Sequence, residues 1–242
     1  MKVRSFRILA ALIVAMIVSL VVRASDAAPK PRCIVVIGDS TVCNYPDTRP
    51  ERGWGMFIQE RFKEGDVEVI NLAASGRSTK TFIAEGRWQR ALDKKPDFVL
   101  IQFGHNDSHA PTNPESTDAA TDYRDYLRRY IDDSRAGGAI PILVTPMVRR
   151  IFNVDGKLKD ELQPYAVAMK EVGLEKKAAV IDLHASSKQL VEQLGPTAAA
   201  EMANKTGDAT HFNEKGAKAM ADLVIKALPA AAPELKERLK AP

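Results

Sequence analysis

Cys33-Ile34-Val35-Val36-Ile37-Gly38-Asp39-Ser40-Thr41 is the stretch that decides the fold. A run of apolar, mostly β-branched residues stops at a glycine and opens into small polar residues. A run of this length without alternation reads as a strand buried on both faces, the mark of a parallel sheet. The pattern recurs in Val67-Glu68-Val69-Ile70, Phe98-Val99-Leu100-Ile101-Gln102-Phe103, Ile142-Leu143-Val144-Thr145 and Val180-Ile181-Asp182-Leu183. Between these runs lie helical patterns at about 54–64, 79–93, 119–136, 160–177, 184–194 and 213–228. Thr117 or Asp118 is placed to cap the third helix and Asn213 the last, whose Ala217, Met220, Ala221, Val224 and Ile225 recur at spacings of three and four. Strand–helix alternation of this kind predicts a doubly wound, three-layer α/β/α sandwich with a five-stranded parallel sheet. No linker interrupts residues 29–228, which read as one domain. The tail at 229–242, rich in Ala, Pro and charge, is expected to be loose.

The N-terminal segment has a different character. Lys2, Arg4 and Arg7 precede Ile8 to Val22, a continuous apolar or small run, and Ala24-Ser25-Asp26-Ala27-Ala28 follows. These are the charged, apolar and small-residue regions of a secretory signal peptide. The run is short for a membrane span, which takes ~20 apolar residues, so a cleaved leader at 1–28 is favoured over an uncleaved anchor. Lys30-Pro31-Arg32 before Cys33 is no lipidation box. The formal charge of +4 tempts a nucleic-acid reading. Removing 1–28 takes Lys2, Arg4, Arg7, Arg23 and Asp26, leaving a balance of +1, and that reading loses its support. The chain is expected to be secreted or periplasmic. At 45% hydrophobic content it is too apolar for disorder.

Cys33 and Cys43 permit one disulfide in an exported chain. Cys33 opens the first strand, however, and Cys43 lies beyond its far end. About five strand residues at ~3.3 Å each hold the Cα atoms well outside the ~4.4–6.8 Å a disulfide needs. Two separate thiols are expected.

In an open α/β sheet the ligand sits beyond the carboxyl ends of the strands, where strand order reverses. Gly38-Asp39-Ser40-Thr41 follows the first strand and offers a hydroxyl. Asn71-Leu72-Ala73-Ala74-Ser75-Gly76-Arg77-Ser78 follows the second; its glycine can aim an N–H into the cleft, and Ser78 can cap the next helix. Gly104-His105-Asn106-Asp107 follows the third and brings a carboxamide donor. Asp208-Ala209-Thr210-His211-Phe212-Asn213, near the C-terminus, sets a carboxylate three residues before a histidine, within reach of Nδ1. Each stretch alone is also ordinary turn chemistry. Together they supply a nucleophile, a base, an acid to orient the base, and donors for an oxyanion, which is the equipment of acyl transfer. The Gly-x-Ser-x-Gly elbow of α/β-hydrolases is absent, so the serine is presented differently.

These four blocks resemble those of the SGNH, or GDSL-type, hydrolase superfamily, which implies its flavodoxin-like fold. Within it, Gly-Asp-Ser-Thr, Gly53-Trp54-Gly55, Gly76-Arg77-Ser78, Gln102-Phe103-Gly104-His105-Asn106-Asp107, Pro141-Ile142-Leu143-Val144-Thr145-Pro146 and the Asp-x-Thr-His-Phe ending are similar to rhamnogalacturonan acetylesterases and related carbohydrate acetylesterases. The likeness runs from about residue 33 to 227. It implies Ser40 as nucleophile, His211 as base and Asp208 as its orienting acid, with the Ser40 and Gly76 N–H groups and the Asn106 amide holding the oxyanion. No metal or organic cofactor is implied. The expected partner is an acetylated polysaccharide or oligosaccharide.

Other residues compete for roles. His105 and His109, with Asp107 between them, have metal-like spacing, but a structural role is favoured. Asp39 is an alternative base orienter, favoured as a shaper of the turn; His184 defaults to core or capping, and Asp155-Gly156 to a turn. Arg77 and Trp54 are candidate sugar contacts, by uronate pairing and by stacking, with surface charge or packing as the rival role. Rival functions are an acetylxylan or other glycan esterase, a lipolytic or thioesterase enzyme on the same fold, and a non-catalytic glycan-binding module. The last has no need of Ser40, Asp208 and His211 together.

Overall fold

The computed structural model describes residues 30–241; the leader expected at 1–28 lies outside them. Five strands form one all-parallel sheet in the order β2-β1-β3-β4-β5: β1 Arg32–Gly38, β2 Val67–Asn71, β3 Phe98–Gln102, β4 Ile140–Val144 and β5 Ala179–Ile181. The helices are α1 Thr79–Ala84, α2 Arg87–Leu92, α3 Asp122–Ala136, α4 Gln163–Lys176, α5 Leu183–Ala200 and α6 Glu214–Ala231. Alternate residues of the central strands feed two cores. Ile34, Val36, Phe98, Leu100, Ile142 and Val144 pack with Val191, Met220 and Val224 from α5 and α6. Val35, Ile37, Val99, Ile101 and Leu143 pack with Phe82, Trp88, Leu127 and Val172 on the other face. Burial on both sides is why these strands carry no polar alternation. The order reverses between β1 and β3, whose ends meet at the Gly38–Gln102 register pair, so the serine turn and the Asn106 turn leave the sheet side by side.

Several elements depart from the sequence expectation, each for a local reason. The stretch at 54–64 is two short 3₁₀ turns, Trp54–Phe57 and Gln59–Arg61. The start of the stretch is tied to the serine turn: Trp54 N donates to Thr41 O and Gly55 N to Val42 O. A Cβ at Gly53 would sit 2.3 Å from the Cys43 carbonyl, so only glycine permits this approach. The helical pattern at 79–93 breaks at Gly86, which adopts φ +67°. Helix α3 starts at Asp122, later than expected, because Thr117 and Asp118 are engaged elsewhere. Thr117 Oγ1 donates to Asp107, and the Asp118 carboxylate accepts from Ala120 N in the preceding turn. Helix α5 continues past 194 to Ala200 through a kink at Gly195-Pro196. Asp182, expected at the end of the fifth strand, instead caps α5 through Ala185 N. Ser78 and Asn213 cap α1 and α6 as the sequence suggests.

The C-terminal segment is not loose. Helix α6 passes Pro229 to Ala231, and a 3₁₀ turn at Pro233–Arg238 follows. Leu235 is fully buried, Lys63 N donates to Arg238 O, and Lys240 N donates to Arg61 O. One buried leucine outweighs a composition that otherwise reads as solvated. Cys33 and Cys43 are both buried, as separate thiols.

Candidate active site

The serine turn begins where β1 ends. Val42 N and Cys43 N both donate to Asp39 O, winding one helical turn that carries Ser40 just beyond the carboxyl end of β1. Asp39 is fully buried and shapes this turn: its Oδ1 accepts from Thr41 N at 2.8 Å and Thr41 Oγ1 at 2.7 Å. Burial works against its ionisation, but neighbouring His105, 3.4 Å away, and the Thr41 donors outweigh this and hold its pKa below the usual range. Tyr45 Oη donates to Ser40 O at 2.9 Å from the far side of the turn.

Ser40 Oγ lies 3.0 Å from His211 Nε2, and His211 Nδ1 lies 2.9 Å from Asp208 Oδ2. The other Asp208 oxygen accepts from Thr210 N and His211 N, both at 2.8 Å. Burial alone would raise the Asp208 carboxyl, but those two amides and the ring together hold it below the usual range, so it stays anionic. A hydroxyl in hydrogen-bond reach of an imidazole that an anionic carboxylate orients can lose its proton as it attacks a carbonyl.

The donor side is built from the two neighbouring turns. Ala74 to Arg77 is closed by Arg77 N donating to Ala74 O, with Gly76 at φ +79°, which fits a type II turn. Asn106, nearly buried, donates from Nδ2 to Arg77 O at 3.0 Å and so joins the third-strand turn to the Gly76 turn. Beneath them Asp107 accepts from Thr79 N, Thr79 Oγ1 and Thr117 Oγ1. Burial nevertheless pushes Asp107 up to about 7.

The structure corrects Trp54. Its ring is fully buried and Nε1 donates to Gln102 Oε1 at 2.8 Å, so it packs beneath the serine turn and presents no face to a sugar. Arg77 contributes its carbonyl to the site, while its guanidinium pairs with Glu85 at 3.0 Å. The side chains with metal-like spacing diverge: His105 turns to Asp39, His109 to Glu115 and Asp107 to Thr79. His184 is buried against Asp160, Nε2 to Oδ1 2.8 Å.

Two contributors were missed in the sequence. Tyr45 lies five residues past the nucleophile and no motif marks it. Arg150, nearly buried, sends its guanidinium to the backbone around His211. Arg149-Arg150 lies beyond the carboxyl end of β4, the side of the sheet on which the site is built.

Comparison with known proteins gives the family. The model of the GDSL-like lipase/acylhydrolase family matches residues 36–219. The probable rhamnogalacturonan acetylesterase YesY of Bacillus subtilis (strain 168) is 36% identical over 200 residues, 81% of this chain and 91% of that protein. The rhamnogalacturonan acetylesterase RhgT of the same organism is 36% identical over 225 residues, 87% of this chain and 95% of that protein. Among solved structures, protein YxiM from Bacillus subtilis superposes with a TM-score of 0.73 at 29% identity, covering 83% of this chain and 56% of that one. With its all-parallel sheet, its serine turn at the switch point and a family match across most of its length, the chain belongs to the GDSL-like lipase/acylhydrolase family and is a carboxylic ester hydrolase.

Proposed function

We propose that the protein is an exported carbohydrate O-acetylesterase that removes acetyl groups from rhamnogalacturonan or a related pectic polysaccharide. The observation that carries the mechanism is the relay from Ser40 Oγ to His211 Nε2, 3.0 Å, and from His211 Nδ1 to Asp208, 2.9 Å. The substrate class rests on two relatives of 36% identity that carry the name rhamnogalacturonan acetylesterase. Export rests on the charged, apolar and small-residue pattern of residues 1–28.

Ser40 Oγ attacks the acetyl carbonyl while its proton passes to His211 Nε2. The oxyanion that forms takes hydrogen bonds from the Ser40 and Gly76 N–H groups and the Asn106 amide. The tetrahedral species collapses, the C–O bond to the sugar breaks, and His211 returns the proton to the departing hydroxyl. Water then attacks acetyl-Ser40 by the same route and acetic acid leaves. Asp208 stays anionic throughout and holds the imidazolium.

The test is acetate release from acetylated rhamnogalacturonan and acetylated xylan, beside p-nitrophenyl acetate and decanoate, by the protein lacking residues 1–28 and its Ser40→Ala variant. Ser40-dependent release that favours the pectic substrate supports the proposal. Preference for xylan replaces the polysaccharide, and preference for decanoate replaces the substrate class with a lipid or thioester.

A further inference from the structure

Between Ala200 at the end of α5 and Glu214 at the start of α6, the chain carries Asp208 and His211 through irregular backbone. Bridges from Phe212 to Arg52 and Ala203 pin one end of this stretch, and Asn204 N reaches His211 O only at 3.4 Å, so the carbonyls from Asp208 to His211 need further partners. Arg150 supplies them. Its Nη2 donates to Asp208 O at 2.9 Å and to His211 O at 2.8 Å, and Nη1 makes a long contact of 3.5 Å to Thr210 O. Its backbone N donates to Ala209 O at 2.8 Å. The guanidinium carbon sits 4.4 Å from the centre of the Phe212 ring, next in sequence. One residue therefore holds four successive carbonyls and the ring that follows them.

The arrangement is costly, which argues that it does more than fill space. Arg150 is 7% exposed, and among the described residues no carboxylate side chain forms an ion pair with it. Its guanidinium touches carbonyl oxygens and an aromatic face, and the anionic Asp208 acts on it only through space, so burial is offset less than a direct carboxylate pair would offset it. Burial draws its pKa down to about 10, so it remains charged at neutral pH. A planar fork that spreads donors over separate carbonyls is a task for arginine; the ammonium of a lysine is a point charge with different reach.

We propose that Arg150 is a positioning residue for ester hydrolysis, holding the Asp208–His211 backbone so that His211 Nε2 stays on Ser40 Oγ. The inference rests on the reading of Ser40 and His211 as nucleophile and base. Arg150 touches neither substrate nor reacting atoms and acts through the loop.

The experiment compares the wild-type protein with Arg150→Lys, Arg150→Ala and Ser40→Ala, measuring kcat and KM on p-nitrophenyl acetate, thermal unfolding, and the low-field NMR signal of the His211 Nδ1 proton. Arg135→Lys is the control, because Arg135 likewise donates to backbone carbonyls, those of Lys176 and Lys177, but at the end of α4. Misplacement of a reacting group by about 1 Å costs ~10²-fold in rate, so Arg150→Lys is expected to lose about that factor in kcat with KM unchanged. Arg135→Lys keeps wild-type kcat. Added methylguanidinium restores part of the kcat of Arg150→Ala, and the His211 signal broadens or is lost in both Arg150 variants. A folded Arg150→Lys with wild-type kcat and an intact His211 signal overturns the proposal. If Arg150→Ala does not fold, Arg150→Lys alone decides by the same criterion. Full turnover in Ser40→Ala would overturn the mechanism and this inference with it. Loss in Ser40→Ala beside unchanged Arg150→Lys overturns this inference alone.

Discussion

The Asn106 carboxamide donates one N–H to the Arg77 carbonyl at 3.0 Å, so the turn after β3 holds the turn after β2. That bond uses one of the two N–H groups on Nδ2 and fixes the plane of the amide, leaving the other for a substrate oxygen. The donor is set before substrate arrives, which is the condition under which a hydrogen bond stabilises a transition state at no reorganisation cost.

Asn106→Ala should therefore lower kcat by ~10²–10³, about 3–4 kcal/mol, with little change in KM. Steady-state kinetics on p-nitrophenyl acetate checks this, with circular dichroism to confirm that the two turns still fold. A loss confined to KM would mean that the amide binds the ground state.

Asp208→Asn keeps the size of the side chain but removes the charge that orients His211 and supports its cationic form. In a Ser-His-Asp relay, loss of this carboxylate costs ~10⁴ in kcat through the wrong imidazole tautomer. The expected result is a fall of about that order on p-nitrophenyl acetate. A fall of less than about tenfold would point to another group, with buried Asp39 the next to test.

Trp54→Phe should affect stability and leave substrate binding unchanged. It removes the Nε1 hydrogen bond to Gln102 and strands a buried carbonyl oxygen that Thr41 Oγ1 reaches only at 3.3 Å. The expected loss is about 1–3 kcal/mol in urea unfolding, with KM for an acetylated oligosaccharide unchanged. A raised KM without a stability loss would restore the sugar-contact role that burial denies.

The stability profile with pH should carry the mark of Asp107. Its pKa is raised to about 7 by burial, so the folded state binds this proton more tightly than the unfolded chain. Its contribution is complete below the ordinary aspartate pKa and is lost as pH rises through about 7. Asp39 and Asp208, both lowered, act in the opposite sense: their contribution is present above the ordinary value and lost as pH falls through their folded values. Urea midpoints should thus rise out of acid, then decline towards neutrality, and Asp107→Asn should abolish the decline. An unchanged decline in that variant would assign the titration to another group.

The strands were legible because burial on both faces leaves an unbroken apolar run, as in Ile34 to Ile37. The four site stretches were legible because each follows a strand or precedes the last helix, where backbone geometry confines chemistry to a few residues. Trp54 misled because an indole reads the same whether it faces a sugar or a buried glutamine; only the glycines beside it hint that the backbone lies too close for exposure. The C-terminal segment misled for the converse reason: Leu235 and Leu239 stand among charges, and the core they pack against is built from distant parts of the chain. Arg150 was invisible as a positioning residue because its partners are backbone carbonyls, which leave no pattern of side chains.

The most direct test of the central claim is to trap the covalent intermediate. The protein is mixed with p-nitrophenyl acetate, quenched in acid during the first turnovers, digested, and searched by mass spectrometry for an acetyl group. The account predicts acetyl on Ser40 in the wild-type protein and none in Ser40→Ala, whose turnover is lost. Acetyl on another residue, or continued turnover by Ser40→Ala, would contradict it.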